Sequence, residues 1–496
     1  MSNYSTLVEH FSRLHHLQHF EAILSWDAAT MMPNQSHQAR ADAMATLSLL
    51  MHESLNSPLL AECFLTLDET ALTDNEKSSV REMRRVWQEA SCLPADLVKQ
   101  QSLAAAKCEH GWREQRAKNN WAGFSENLKE VVRLARQEAD YRAKATGLGR
   151  YDALLDKFEP GMTSKKLDAI FSDLKTWLPQ LIQQVIVSQN KQSIKTPLGP
   201  FLESAQKSVG EQIMTMLGFD FERGRLDVSA HPFCGGVPED VRLTTRYSEE
   251  DFTQSLMGVV HETGHAKYEQ GLPESLRHLP VGKARSTAIH ESQSLFMEMQ
   301  IGRSSEFLES IHRILIAELG DQDALSLDNL QKLYRQVEPS FIRVDADEVT
   351  YPAHVMLRYE IEKDLIEAKI EVDDIPFLWQ EKMKAYLGVD TEGNFTNGCM
   401  QDIHWSIGAF GYFPTYTLGA MYAAQFMATM KKALPNINER IAKGDLTDIQ
   451  AWLSQHIWEK GCLDTTDDLV FNATGETLNT SYFKEHLFKR YMPTDI

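Results

Sequence analysis

Residues 259–271 read VVHETGHAKYEQG, with His261 and His265 four residues apart and Glu262 directly after the first histidine. On a helix, residues four apart share a face, so the two imidazoles point at a common centre. Glu262 is turned about 100° from His261, near enough to address a water at that centre but not to ligate beside the histidines. Hydrolysis assisted by a metal ion requires this arrangement. Neutral imidazoles hold Zn²⁺, and an open position keeps a water whose pKa falls to about 7. A carboxylate takes that water's proton and later delivers it to a leaving amine. The pentapeptide alone decides little. With 17 histidines in 496 residues, an H-E-x-x-H string arises by chance in about one such chain in twenty.

A helix is expected around it. Ser248 ahead of Asp251 forms an S-x-x-D capping signal, and Gly271 and Pro273 supply a stop. HETGH then falls in the last two turns of a helix of about 20 residues. Gly258 and Gly264 inside that helix cost up to ~1 kcal/mol each relative to Ala, which close approach of a partner helix would explain. The partner is ARSTAIHESQSLFMEMQIGRS (284–304), with apolar Ile289, Leu295, Phe296, Met299 and Ile301. Glu291 lies at its seam, where a third ligand is expected, since zinc hydrolases with two histidines draw a glutamate from a following helix. A solvated helix glutamate is the competing reading.

The remainder is mostly helical in pattern. Apolar residues recur at three- and four-residue spacing over 4–24, 36–66, 75–91 and 120–145, and helices resume over 163–193. One stretch differs: FDFERGRLDVSAHPFCGGVPEDVRLTTRY (219–247) alternates around Gly235, Gly236 and Pro238, which predicts a small antiparallel sheet beside the HETGH helix. The net charge of −20 argues against a nucleic-acid binder, which would need a basic face. Cys63, Cys92, Cys108, Cys234, Cys399 and Cys462 form no C-x-x-C pair, and a reducing cytoplasm is the expected setting. Neither a secretion signal nor about 18 consecutive apolar residues is present, so no membrane partner is expected.

HETGH together with IHESQS, HPF, DVRLT, IRVDAD and GCMQDIHW, in that family's order, resembles the M32 metallocarboxypeptidases, the carboxypeptidase Taq family. ILSWDAATMMP (23–33), LRYEIEKDLIEAKI (357–370) and FGYFPTYTLG (410–419) extend the resemblance over roughly residues 20–490. It implies a mostly α gluzincin fold, in which HExxH and a glutamate hold the metal. The fold is related to thimet-type and angiotensin-converting-type peptidases, with a deep groove roofed by amino-terminal helices. It implies one peptidase domain over 1–496 with a catalytic core at about 219–420. It further implies removal of single residues from peptides with a free carboxyl terminus, with broad specificity, one Zn²⁺ or Co²⁺ per chain, and a homodimer. His261, His265 and Glu291 would be the ligands and Glu262 the general base. Thermolysin-like sequences place an Asp four residues after the ligand glutamate; position 295 is Leu here, so Asp402 is the expected orienter of the ligands.

A carboxypeptidase must grip a free carboxylate, which a guanidinium does with two hydrogen bonds. Arg343 and Arg242 are the candidates, although each has acidic neighbours that would make it a structural salt bridge. The strand DVRLTTRY is expected to offer an edge for pairing with substrate backbone. An oxyanion needs donors, and His404, Tyr412 and Tyr416 are expected to supply them, Tyr412 in preference to Tyr416. His231 of HPF is expected to line the same groove. Three other functions stay open. An endopeptidase or dipeptidase would use the same site. A di-iron carboxylate protein would pair Glu262-x-x-His265 with Glu309-Ser-Ile-His312. A helical scaffold would carry HETGH without catalysis. His312 is otherwise read as structural.

Overall fold

The computed structural model describes residues 2–229 and 232–492. Each predicted helical stretch is present: Asn3–Thr30, Asp74–Ser91, Trp121–Thr146 and Ser164–Gln189. The stretch 36–66 is two helices, His37–Leu55 and Pro58–Thr66, because Pro58 lacks the N–H an uninterrupted helix needs and sits instead at a helix start. Asp74–Ser91 opens with a capping box of Thr73 and Glu76. Trp121–Thr146 ends on Gly147 at φ 75°, a left-handed turn that glycine adopts without strain. All six cysteines are free, and no helix among the described residues is long and apolar enough to cross a membrane.

The sheet has three strands: β1 (Gly224–Val228), β2 (Cys234–Val237) and β3 (Asp240–Thr245). Their order is β1-β3-β2; β2 and β3 form an antiparallel hairpin, while β1 runs parallel to β3. The expected antiparallel sheet is therefore mixed. The glycine-rich β2, CGGV, carries no alternation to read, and it takes the antiparallel place beside β3 that β1 was expected to hold. With a strand on each side, β3 also has no edge to offer a substrate, so pairing there is ruled out. Val241 and Leu243 pack with Leu226 onto Val259 and Ala266 of the HETGH helix. Arg242, alternate to them, projects from the opposite face, with its guanidinium 6.0 Å from the centre of the Trp26 ring.

The HETGH helix spans Thr253–Gly271. Its start is tied by Asp251, whose Oδ1 accepts from the Thr253 N–H at 2.8 Å. Ser248, the expected cap, instead accepts from Glu250 N–H outside the helix. The Glu291 helix spans Thr287–Leu295 and runs on into a π-helical turn, Phe296–Gly302. A Cβ at Gly264 would lie 2.4 Å from the Gln293 carbonyl oxygen, and one at Gly419 would lie 2.7 Å from Glu291 Cγ. Gly419 belongs to the helix Pro414–Ala433, so two glycines let two helices press on the short Glu291 helix from different sides. Gly258 is not such a contact, since nothing lies within 4 Å of its Cβ position.

Further support comes from the carboxyl-terminal third. Trp458 Nε1 donates to Gln293 Oε1 at 2.8 Å, and its ring lies 2.8 Å from where a Cβ on Gly271 would stand. The helices Asn3–Thr30, Pro58–Thr66 and Asp74–Ser91 share a separate apolar cluster with Leu279, Val281 and Cys462. Trp26, near the end of the first, packs on Phe233 just before β2, with ring centroids 5.1 Å apart.

The two interior glycines of the HETGH helix, Gly258 and Gly264, should respond oppositely to alanine. Gly264→Ala forces backbone apart and is expected to destabilise by about 1–3 kcal/mol, whereas Gly258→Ala should stabilise by up to about 1 kcal/mol through helix propensity. Thermal unfolding of both variants beside the parent checks the pair.

Candidate metal centre

One ligand atom from each of His261, His265 and Glu291 lies within 4.8 Å of the others, the one group of this kind among the described residues. His265 Nε2 is 3.4 Å from Glu291 Oε2. Two imidazoles and a carboxylate are a donor set that suits Zn²⁺. One buried atom beside them, Oε2 of Glu262, has no hydrogen-bond partner, although buried polar atoms are ordinarily bonded. The residues thus fit a divalent cation with a polar ligand beside it. The rival pairing has no such convergence, for Glu309 is exposed and His312 Nε2 is bonded to the Leu325 carbonyl at 2.9 Å.

His261 is oriented through its other nitrogen. Its Nδ1 is 3.0 Å from Glu298 Oε2, which leaves Nε2 for a metal. Arg303 in turn donates to Glu298 Oε1 from Nη2 at 2.6 Å. Glu298 sits in the π-helical turn after Leu295. Asp402, the expected orienter, does something else. Its Oδ1 accepts from Arg343 Nε at 3.0 Å and its Oδ2 from Arg358 Nε at 2.7 Å. Burial opposes its charge, but the two guanidiniums hold the carboxyl well below the usual carboxylate range.

Burial and charge set the protonation of the centre. Burial alone would strip the proton from His261, yet the Glu298 hydrogen bond and the charges of Glu291 and Glu262 push it up to about 9. Burial pushes Glu262 up to about 7, with Glu291 adding to it and His261 opposing. Burial, helped by His290, pulls His265 down to about 4, so that imidazole is neutral, as a ligand must be.

His404 Nε2 is 3.1 Å from the Tyr416 hydroxyl. Tyr412 meets His404 only ring to ring, centroids 5.3 Å apart, and packs edge-on against Phe158. Arg343 is 4% exposed; it donates from Nη1 to the Tyr351 hydroxyl at 3.0 Å and lies 4.7 Å over the Tyr416 ring. The Glu291 charge raises the phenols of Tyr351, Tyr412 and Tyr416, after burial as the main cause. Tyr351 and Tyr416 therefore stand close to both Glu291 and Arg343. Arg242 stands apart in a two-pronged ion pair with Asp240, at 2.8 and 2.6 Å, on the sheet face turned toward Trp26. His231 lies outside the described residues.

The loop carrying His404 is pegged from below by Glu362, fully buried on the helix Tyr351–Ile366. Glu362 accepts from Tyr151 Oη at 2.6 Å, Trp405 Nε1 at 3.2 Å and the Gly411 N–H at 3.2 Å. Arg358 and Glu362 are four apart on that helix, a polar spacing in LRYEIEK that marks the face turned to the site. Sequence reasoning did not single out either residue, nor Glu298.

A mostly helical chain with this two-histidine, one-glutamate centre defines a class, the helical metallopeptidases. Within it the chain belongs to the carboxypeptidase Taq (M32) metallopeptidase family, whose sequence profile matches residues 6–491. Thermostable carboxypeptidase 1 of Thermus thermophilus is 37% identical, with 98% of each chain covered. Carboxypeptidase 1 of Bacillus subtilis is 36% identical, with 97% of each covered. Among solved structures, Trypanosoma cruzi metallocarboxypeptidase 1 superposes with a TM-score of 0.97 at 45% identity over 99% of each chain. The chain is accordingly a carboxypeptidase, a peptide hydrolase of a family that depends on a divalent metal.

Metal uptake should depend on pH through His261. A metal needs the neutral imidazole, so the affinity of the metal-free protein should climb about tenfold per pH unit for that one proton. The climb runs from neutrality toward the raised value of about 9 and then levels off. In Glu298→Gln the acceptor charge is gone, the His261 value drops, and the slope across that window should flatten. Chelator competition across the pH range measures both.

Proposed function

We propose that the chain releases single residues from free peptide carboxyl termini with broad preference, on one Zn²⁺ or Co²⁺ held by His261, His265 and Glu291. When bound, the ion supplies Lewis acidity that activates water and polarises the scissile carbonyl. Glu262, lifted to about 7 and with Oε2 unpaired, takes a proton near neutral pH and returns it to the leaving amine. His404, pulled down to about 4 by burial, is neutral; with its Nε2–H donating to the Tyr416 oxygen, the Tyr416 hydroxyl proton is free to meet an oxyanion. That bond moves the donor role from Tyr412 to Tyr416, with Tyr412 packing beside it.

The observation that carries the exopeptidase reading is the arginine pair. Arg343 and Arg358 are buried and share one carboxylate, Asp402, which leaves a net positive charge inside the protein. Uncompensated buried charge is expensive, and a substrate's terminal carboxylate would neutralise it while satisfying the remaining Arg343 N–H groups. Arg242, already matched by Asp240, is assigned no part in substrate binding. A single domain and a homodimer are proposed on the family resemblance, and a cytoplasmic setting on the scattered cysteines.

Digestion of one peptide in free and amidated form, followed by mass spectrometry, tests the proposal. The free peptide should yield a ladder of single-residue losses with Zn²⁺ or Co²⁺ supplied, the amide should resist, and Glu262→Gln should be inactive. Internal cuts in both peptides would instead make it an endopeptidase. Tyr416→Phe should lower kcat about 10²–10³-fold, as loss of an oxyanion donor does, and Tyr412→Phe less.

A further inference from the structure

His261 and His265 are steadied in different ways. His261 is fixed by the Glu298 hydrogen bond at Nδ1, the ordinary device for orienting a ligating imidazole. The corresponding Nδ1 of His265 is buried and has no partner. Among the described residues, the polar atom His265 meets at close range is Glu291 Oε2, 3.4 Å from its Nε2, a fellow member of the centre, so no hydrogen bond from outside the centre sets the plane of its ring.

A ring does so instead. His290 lies parallel to His265, with centroids 4.5 Å apart and planes 20° from each other. It is held there by Glu269, whose Oε1 is 2.8 Å from His290 Nε2, and its other neighbour is Tyr268, at 5.7 Å. Residues 265, 268 and 269 share one face of the HETGH helix, and His290 lies across that face. It also immediately precedes Glu291, so one short helix delivers both the third member of the centre and the plate against its second.

We propose that His290, braced by Glu269, is the positioning residue for His265, and that it acts by ring stacking rather than by hydrogen bonding. This rests on the metal-centre reading above. The fold itself has little stake in the pair. Both side chains are 27% exposed, and ion pairs that accessible to water contribute little to stability. Loss of the plate therefore registers in metal affinity and not in folding.

The test is Zn²⁺ affinity by chelator competition, with thermal unfolding of the metal-free proteins alongside. His290→Gln, which can still bond Glu269 but has no ring, should bind Zn²⁺ about 10–100-fold more weakly, as removal of an orienting partner does. Its metal-free unfolding temperature should match the parent's. His290→Phe, which keeps a flat ring but loses the Glu269 brace, should be weakened less than His290→Gln. Parental affinity in His290→Gln overturns the proposal, as does a loss in His290→Phe equal to that in His290→Gln. A fall in metal-free stability that accounts for the whole effect also overturns it, by making the pair structural. His265→Ala distinguishes failure of the underlying reading: if that variant binds Zn²⁺ as the parent does, the centre lies elsewhere.

Discussion

The nine-residue helix Thr287–Leu295 is pressed between two glycines, Gly264 on the HETGH helix and Gly419 on the helix behind it. At each point backbone or the Glu291 side chain stands where a Cβ would be. Interiors packed this closely transmit displacement rather than absorb it. The spacing between the HETGH helix and its neighbour thus fixes how far Glu291 stands from the two histidines. The Trp458–Gln293 bond, Glu298 and the His290 stack are all arranged around a helix whose position the glycines have already set.

Charge is distributed in the same economical way. Two buried clusters flank the centre, one acidic in surplus and one basic. On one side Glu262, Glu291 and Glu298 surround His261, with Arg303 paired to Glu298. On the other, Arg343 and Arg358 converge on Asp402 alone. The first surplus suits a cation and the second an anion. The tyrosines 351, 412 and 416 lie between, their hydroxyls too strongly buried to ionise, and they separate the two fields without neutralising either.

Much of this was legible in the sequence. HETGH and Glu291 follow helical spacing, and the structure brings the three side chains together as that spacing implies. Where the reading went astray, the period of a single element was not enough. Glu298 falls seven residues after Glu291, on nearly the same face of a regular α-helix, but its partner His261 lies on a different helix, and spacing along one helix does not reveal that approach. CGGV carries no alternation, so the strand that makes the sheet mixed was invisible. Asp402 and Arg242 were read as site residues from motif membership, but ion pairs between chemically matched partners depend on tertiary approach, which spacing does not encode. The choice between Tyr412 and Tyr416 likewise turns on a side-chain direction, not on a count of residues.

The contact between Trp458 and Gln293 has a bearing on how the chain comes to life. Residue 458 is synthesised long after 261, 265 and 291, and the helix with Gly419 also arrives after them. An emerging polypeptide therefore holds His261, His265 and Glu291 well before it holds the bed on which the third is supported. A half-made chain has the letters of the centre without the contacts that fix their spacing, and those contacts come only when the far end folds back to close the mould.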